Sequence, residues 1–141
     1  MARLTLIRGL PGSGKSTVAN DLALRHGDTY VLENDDYFNV AYTEGIEYVF
    51  DKRMWKDASA RCRNLTEKLV MHDDARVIVA NTFITLKSMH FYRGLGSLPM
   101  VDFRVITCVG EYGSTHNVPE DVMENMRLKW EPLPNEEIWN G

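Results

Sequence analysis

Gly9-Leu10-Pro11-Gly12-Ser13-Gly14-Lys15-Ser16 decides how this chain is read. The stretch fits G-x-x-x-x-G-K-[ST], and each residue type has a physical reason. Glycines let the backbone wrap with its N–H groups pointing inward, which makes a nest for an anion. A helix opening near Lys15 adds the positive end of its dipole. The Lys15 ammonium reaches the outer phosphates of a bound nucleotide, and the Ser16 hydroxyl suits a Mg²⁺ ion. The cofactor-binding set is therefore Gly9, Gly12, Ser13, Gly14, Lys15, Ser16 and Thr17, with ATP and Mg²⁺ as the expected cofactors.

Working outward, the motif lies where its mechanism needs it, between a β-like run (Leu4-Thr5-Leu6-Ile7-Arg8) and a helical spacing over residues 15–26. Thr29–Leu32 reads as a second strand that stops at Glu33-Asn34-Asp35-Asp36. Apolar residues then recur at three- and four-residue steps through Ile46, Val49, Phe50, Met54, Ala58, Cys62, Leu65 and Leu69, which predicts one long helix over residues 46–72. Arg76–Ala80 is a buried strand, residues 85–95 a weak helix, and residues 101–109 a fourth strand. Residues 110–117 are loop-like. Asn117-Val118-Pro119-Glu120 has the form of a capping box with Pro in the first turn, opening a last helix to about residue 131. The tail beyond is expected to drape or fray.

Strands alternating with helices predict an α/β fold. It has three layers around a four- or five-stranded parallel sheet, with a short lid at about residues 110–118. Ligands of such sheets sit beyond the carboxyl ends of the strands. That gathers residues 9–16, 34–36, 81–83 and 110–117 around one crevice.

The 141 residues suit a single domain, residues 1–141. No window is apolar enough for a membrane span, and charge interrupts the first residues too early for a signal peptide. Cys62 and Cys108 have no C-x-x-C spacing, which excludes a zinc ribbon or disulfide scaffold and points to a cytoplasmic protein. Net charge is −4, which excludes a generic basic nucleic-acid coat. The acidic excess sits after residue 118, whereas Lys52, Arg53, Lys56, Arg61 and Arg63 form a basic helix face that can coexist with an anionic substrate.

A phosphate cradle alone does not choose among kinase, ATPase and GTPase. The end of the second strand does better. A kinase needs a carboxylate to orient the acceptor hydroxyl and take its proton. Asn34-Asp35-Asp36-Tyr37 sets two carboxylates across the crevice. Asp35 is read as that base and as a second Mg²⁺ contact, through water. Asp36 is read as a cap beside the acceptor. No guanine-specifying N-K-x-D string occurs.

Residues 6–17 and 34–37, extended by Val77-Ile78-Val79-Ala80-Asn81-Thr82 and by residues 117–127, resemble the kinase domain of bacteriophage polynucleotide 5′-hydroxyl kinase and its P-loop relatives. The resemblance implies a kinase that transfers the γ-phosphoryl group of ATP to a hydroxyl on a nucleic acid, DNA more than RNA. In a phage setting the compartment is the host cytoplasm. It also implies departures. The family's phosphate-gripping Arg beside the Asp pair is Phe38, the strand-three Asp is Asn81, and residues 110–119 hold no lid arginine. Arg127 is the one arginine left to clamp the transferring phosphoryl group. With Phe38 for stacking, Asn81, Thr82 and Phe83 for a base edge, and His116 from the lid, a flipped hydroxymethylated base such as 5-hydroxymethyluracil fits nearly as well as a 5′-hydroxyl. The alternative is a P-loop kinase of a small molecule: a nucleoside, sugar or antibiotic.

Overall fold

The computed structural model describes residues 1–42, 45–49, 51–113 and 118–140. Its centre is a five-stranded parallel sheet in the order β2-β5-β1-β6-β7. These strands are β1 (Ala2–Gly9), β2 (Thr29–Leu32), β5 (Arg76–Ala80), β6 (Val101–Cys108) and β7 (Glu137–Trp139). Between β2 and β5, a separate antiparallel hairpin joins β3 (Asn39–Tyr42) to β4 (Gly45–Tyr48).

β1 lies between β5 and β6 in continuous register and is covered on both faces, so it is buried along nearly its whole length, Thr5 and Arg8 included. Side chains alternate across it. Ile7, with Ile78, Ala80 and Ile106, packs under Val18 and Ala19 of α1 (Lys15–His26). Leu4 and Leu6, with Val77, Val79 and Val105, pack on the other face. There they meet Cys62, Leu69 and Val70 of α2 (Trp55–Met71) and Tyr92 and Leu95 of α3 (His90–Gly96). One core on each face makes the three layers expected. Cys62 and Cys108 are buried free thiols.

Three expectations need correction. The long helix over residues 46–72 is instead β4, a short 3₁₀ turn over Lys52–Met54 and then α2. Ile46 is 75% exposed, so the apolar period continued upstream without a core beneath it. The Asp51 side chain accepts the Arg53 N–H at 3.0 Å and starts the helical segment there. Next, α4 (Glu120–Lys129) starts from an N-cap at Pro119, whose ψ of 146° is extended. The proline thus precedes the first turn, and Asn117, the cap expected, lies outside the described residues. Finally, the tail does not fray. Residues 137–139 pair with Ile106, Thr107 and Cys108 as β7. Three residues are too few to show a period, and long-range side-chain bonds hold them. Glu137 receives two Arg104 hydrogen bonds at 2.7 and 2.8 Å.

Arg8 anchors the same tail. It is fully buried yet saturated with acceptors. Its guanidinium donates to the Phe83 carbonyl at 2.7 and 3.0 Å, to the Ile84 and Glu131 carbonyls at 3.2 and 2.8 Å, and to Glu136 Oε2 at 3.0 Å. Trp130 lies over it, 4.0 Å from ring centroid to Cζ. Among the described residues, no helix is long and apolar enough to cross a membrane.

Candidate active site

The phosphate loop follows directly from β1. Ser13 N–H donates to the Leu10 carbonyl at 3.1 Å, and φ is +80° at Gly12 and +99° at Gly14, the N-cap of α1. Only glycine enters those conformations without strain. Space requires it as well: a Cβ on Gly14 would come within 2.6 Å of the Trp139 ring. No acidic residue stands in the first turn of α1, so nothing neutralises its positive end. The buried Ser13 hydroxyl has no hydrogen-bond partner among the described residues, an unmet polar group inside the loop. These features fit a polyphosphate.

Lys15 Nζ lies across the loop and donates to the Gly9 and Leu10 carbonyls, each at 3.0 Å. Burial pulls its pKa below the usual lysine value, against the opposing charges of Glu33 and Asp35. Ser16 Oγ donates to Glu33 Oε1 at 3.3 Å. Burial raises the Glu33 pKa, with Asp36 and Asp35 adding to the rise. The Ser16 hydroxyl beside the Glu33 carboxylate, with Asp35 lining the same cleft, is a hard-oxygen donor set. Among the described residues, no group of three or more His, Cys, Asp or Glu forms a metal cage. Mg²⁺ needs none, since it is bound through one or two protein oxygens plus phosphates and water. Ser16 and Asp35 thus fit the ion.

Asp35 sits on a 3₁₀ turn (Asn34–Phe38) at the end of β2 and lines the same cleft as the loop, of about 1300 Å³. Tyr48 donates its phenol to Asp35 Oδ1 at 3.0 Å. Burial and Asp35 push the phenol pKa up to about 12, so it stays a neutral donor. Asp36 turns away and accepts the Glu33 N–H at 2.9 Å, capping its own turn. Thr82 lines the cleft.

Other expected site residues are placed differently. Asn81 spends both ends of its amide on Asn34, accepting the Asn34 N–H at 2.8 Å and donating to Oδ1 at 3.2 Å. It braces the Asp35 turn while lining the cleft. Phe38 is 3% exposed, stacked on Trp55 at 6.1 Å and 5°, so it offers no stacking platform. Phe83 is buried against Tyr92 at 5.4 Å. Arg127 points to solvent and pairs with Glu120 at 2.8 Å and Glu124 at 3.0 Å on its own helix, so no clamp forms there. Carboxylates one and two helical turns away on its own helix hold it there. The cleft instead receives Val122 and Met126 from α4. His116, the lid contact, lies outside the described residues.

Several site residues escaped the sequence reading. Glu33 looked like a strand-ending polar residue and Tyr48 like part of a helix. In α2, Trp55, Ser59 and Arg63 recur at i, i+4, i+8 and line the cleft. Of the five-residue basic run, Arg63 alone faces it. Tyr112, 63% exposed, and Trp139 stand 6.4 Å apart beyond β6 and β7, on the other side of the loop.

With this geometry in view, a family model described as AAA domain matches residues 4–111. The chain belongs to that family of AAA domains. Human NEDD4-binding protein 2 is 32% identical to this AAA-domain chain over 103 residues, 65% of the chain and 6% of that protein's length. Among the solved structures that share the fold are these three. Kti12 of Chaetomium thermophilum, in complex with ADP-AlF3, has a TM-score of 0.68 at 14% identity, covering 97% of this chain and 88% of that one. A sugar kinase from Janibacter sp. HTCC2649 has 0.63 at 19%, covering 100% and 85%. A chain of the Pnkp1/Rnl/Hen1 complex has 0.60 at 16%, covering 88% and 38%. The fold is that of a P-loop kinase, with a nucleotide-binding loop.

Proposed function

We propose that this AAA-domain chain is an ATP-dependent kinase that phosphorylates a hydroxyl group on a nucleic acid. The observation that carries the proposal is the placement of Asp35 across one cleft from the phosphate loop. The loop amides and Lys15 bind the phosphates and stabilise charge that develops on them. Ser16 and, through water, Asp35 would hold Mg²⁺, which would neutralise phosphate charge. With the γ-phosphate toward Asp35, the nucleoside end leaves on the β6–β7 side, where Tyr112 and Trp139 stand. Asp35 orients the acceptor hydroxyl and takes its proton as the new phosphorus–oxygen bond forms.

The acceptor half of the cleft supports a phosphate-bearing substrate. Arg63 and Lys87 line it, and neither has a carboxylate partner within ion-pair distance among the described residues. Trp55, 41% exposed, stands on the Arg63 stripe. Cations beside an aromatic ring suit a nucleotide chain. The likenesses to a chain of the Pnkp1 complex and to a sugar kinase both rest on the fold alone.

The test incubates γ-labelled ATP with 5′-hydroxyl DNA, 5′-hydroxyl RNA, DNA containing 5-hydroxymethyluracil, and free nucleosides. Label is expected in a polynucleotide. Label confined to nucleosides would move the function to a small-molecule kinase. Lys15→Ala should abolish transfer. Asp35→Asn should keep MgATP affinity within about twofold and lower kcat by about 10²–10⁴-fold. A near-normal kcat in Asp35→Asn would remove the base assignment.

A further inference from the structure

Asp35 is gripped by a residue that lies outside the main sheet. The β3–β4 hairpin leaves directly from the turn that carries Asp35 and returns antiparallel, pairing Tyr48 with Asn39. At its base the Val49 N–H donates to the Phe38 carbonyl at 2.7 Å, which ties the returning strand to the end of the turn. The Tyr48 ring meets the buried Phe38 ring edge-on, with centroids 6.1 Å apart at 76°. Phe38 is backed in turn by Trp55. Backbone and ring contacts together fix the phenol, whose oxygen lies 3.0 Å from Asp35 Oδ1.

We propose that Tyr48 is the positioning residue of the phosphoryl-transfer site: its phenol holds Oδ1 of Asp35 and thereby turns Oδ2 toward the acceptor hydroxyl. The inference rests on reading Asp35 as the base. An aspartate carboxylate rotates broadly about its last torsion, so either oxygen could face the cleft. A donor on one oxygen removes that freedom before the acceptor arrives, which is where oriented catalysis gains. No N–H or O–H among the described residues donates to Oδ2, and Asp36 and Glu33 are engaged with Glu33 N–H and Ser16. When the acceptor oxygen bonds to the γ-phosphorus, its proton passes to Oδ2. The bond from that phosphorus to the bridging oxygen breaks, and ADP leaves with the electron pair. The phenol keeps its own proton throughout. The hairpin thus has a role as well as a place: it carries a donor back to a carboxylate thirteen residues earlier in the chain.

The test compares wild type, Tyr48→Phe, Asp35→Asn and the double variant, using γ-labelled ATP and whichever acceptor of the panel above wild type labels. Tyr48→Phe keeps the ring on Phe38 and removes only the hydroxyl. Its kcat should fall about 10-fold while KM for both substrates, MgATP affinity and melting temperature hold. In the Asp35→Asn background the same change should have no further effect, since Tyr48 acts through that carboxylate. Placing 4-aminophenylalanine at position 48 restores a donor and should recover most of kcat. It carries the test alone should Tyr48→Phe fold poorly, and a kcat still down about 10-fold in that variant would then overturn the proposal. An unchanged kcat in Tyr48→Phe, or an effect that simply adds to that of Asp35→Asn, would also overturn it. So would a lower acceptor KM with kcat kept, because the phenol would then be competing with the acceptor. Wild type that labels nothing overturns both readings together. An inactive Asp35→Asn beside an unimpaired Tyr48→Phe overturns this one alone.

Discussion

Arg8 shows how a single side chain can be both costly and indispensable. Taking a guanidinium out of water carries a penalty of several kcal/mol, offset only when its N–H groups and its charge are met. Here three backbone carbonyls, the Glu136 carboxylate and the Trp130 face meet them. One of those carbonyls belongs to Phe83, which sits at φ +46°, a conformation a bulky side chain enters only under strain. Arg8 therefore holds the cleft wall and the C-terminal tail at once. Arg8→Met should destabilise the fold by about 3–5 kcal/mol, because it leaves Glu136 buried without its cation. Urea unfolding with an unchanged slope would check it. A loss under about 1 kcal/mol would mean the network is incidental. Nothing in the run Leu4-Thr5-Leu6-Ile7-Arg8 reveals this. A charged residue closing an apolar strand reads as a surface residue until the distant partners are seen.

Among the elements, β7 is the instructive case. Its backbone joins β6 along only three residues, and an exposed arginine–carboxylate fork helps to hold it. The Arg104 guanidinium keeps the Glu137 carboxyl below the usual carboxylate range, through the hydrogen bond first and its charge second. A carboxyl with a folded pKa below the unfolded one adds stability above the unfolded value, and that stability is lost as pH falls through the folded value. Both groups are well exposed, so screening limits the gain to about 1 kcal/mol or less. Glu137→Gln should thus lower stability slightly at pH 7, with the difference from wild type shrinking as pH falls below the usual carboxylate range. Melting curves across that range would show it. Equal differences at both ends would assign the effect to packing instead. The helix expected over residues 46–72 teaches the complementary lesson. Periodicity reports which residues could share a face, and the exposed Ile46 shows that a face needs something to cover it.

At the scale of the whole molecule, the sheet order places chemistry on two sides of β1. The carboxylates gather after β2, beside the uncharged end of β5, and the aromatic pair stands past β6 and at the end of β7. An extended nucleotide crossing the loop would meet both. The side of the cleft proposed for the acceptor is also where the net acidic chain becomes locally basic, through Arg63 and Lys87. A substrate phosphate held there makes binding salt-dependent. Arg63→Ala should raise the acceptor KM and flatten its dependence on log salt by about 0.7–0.9, leaving KM for MgATP unchanged. An unchanged salt slope would take Arg63 out of the acceptor site.

By itself the sequence determined the phosphate loop, the layered parallel sheet and the acidic turn after the second strand. Those features are local: glycine permits the loop, period marks the elements, and neighbouring residues carry the signal. Tertiary structure alone decided which side chains share the cleft. Phe38 went to the core, Phe83 onto Tyr92 at the cleft wall and Asn81 onto Asn34, each because folding supplied a partner, whereas Arg127 turned to glutamates on its own helix. Tyr48, Arg63 and Glu33 came forward for the same reason. Contacts between residues far apart in the chain depend on how the elements pack, and no window of sequence records that.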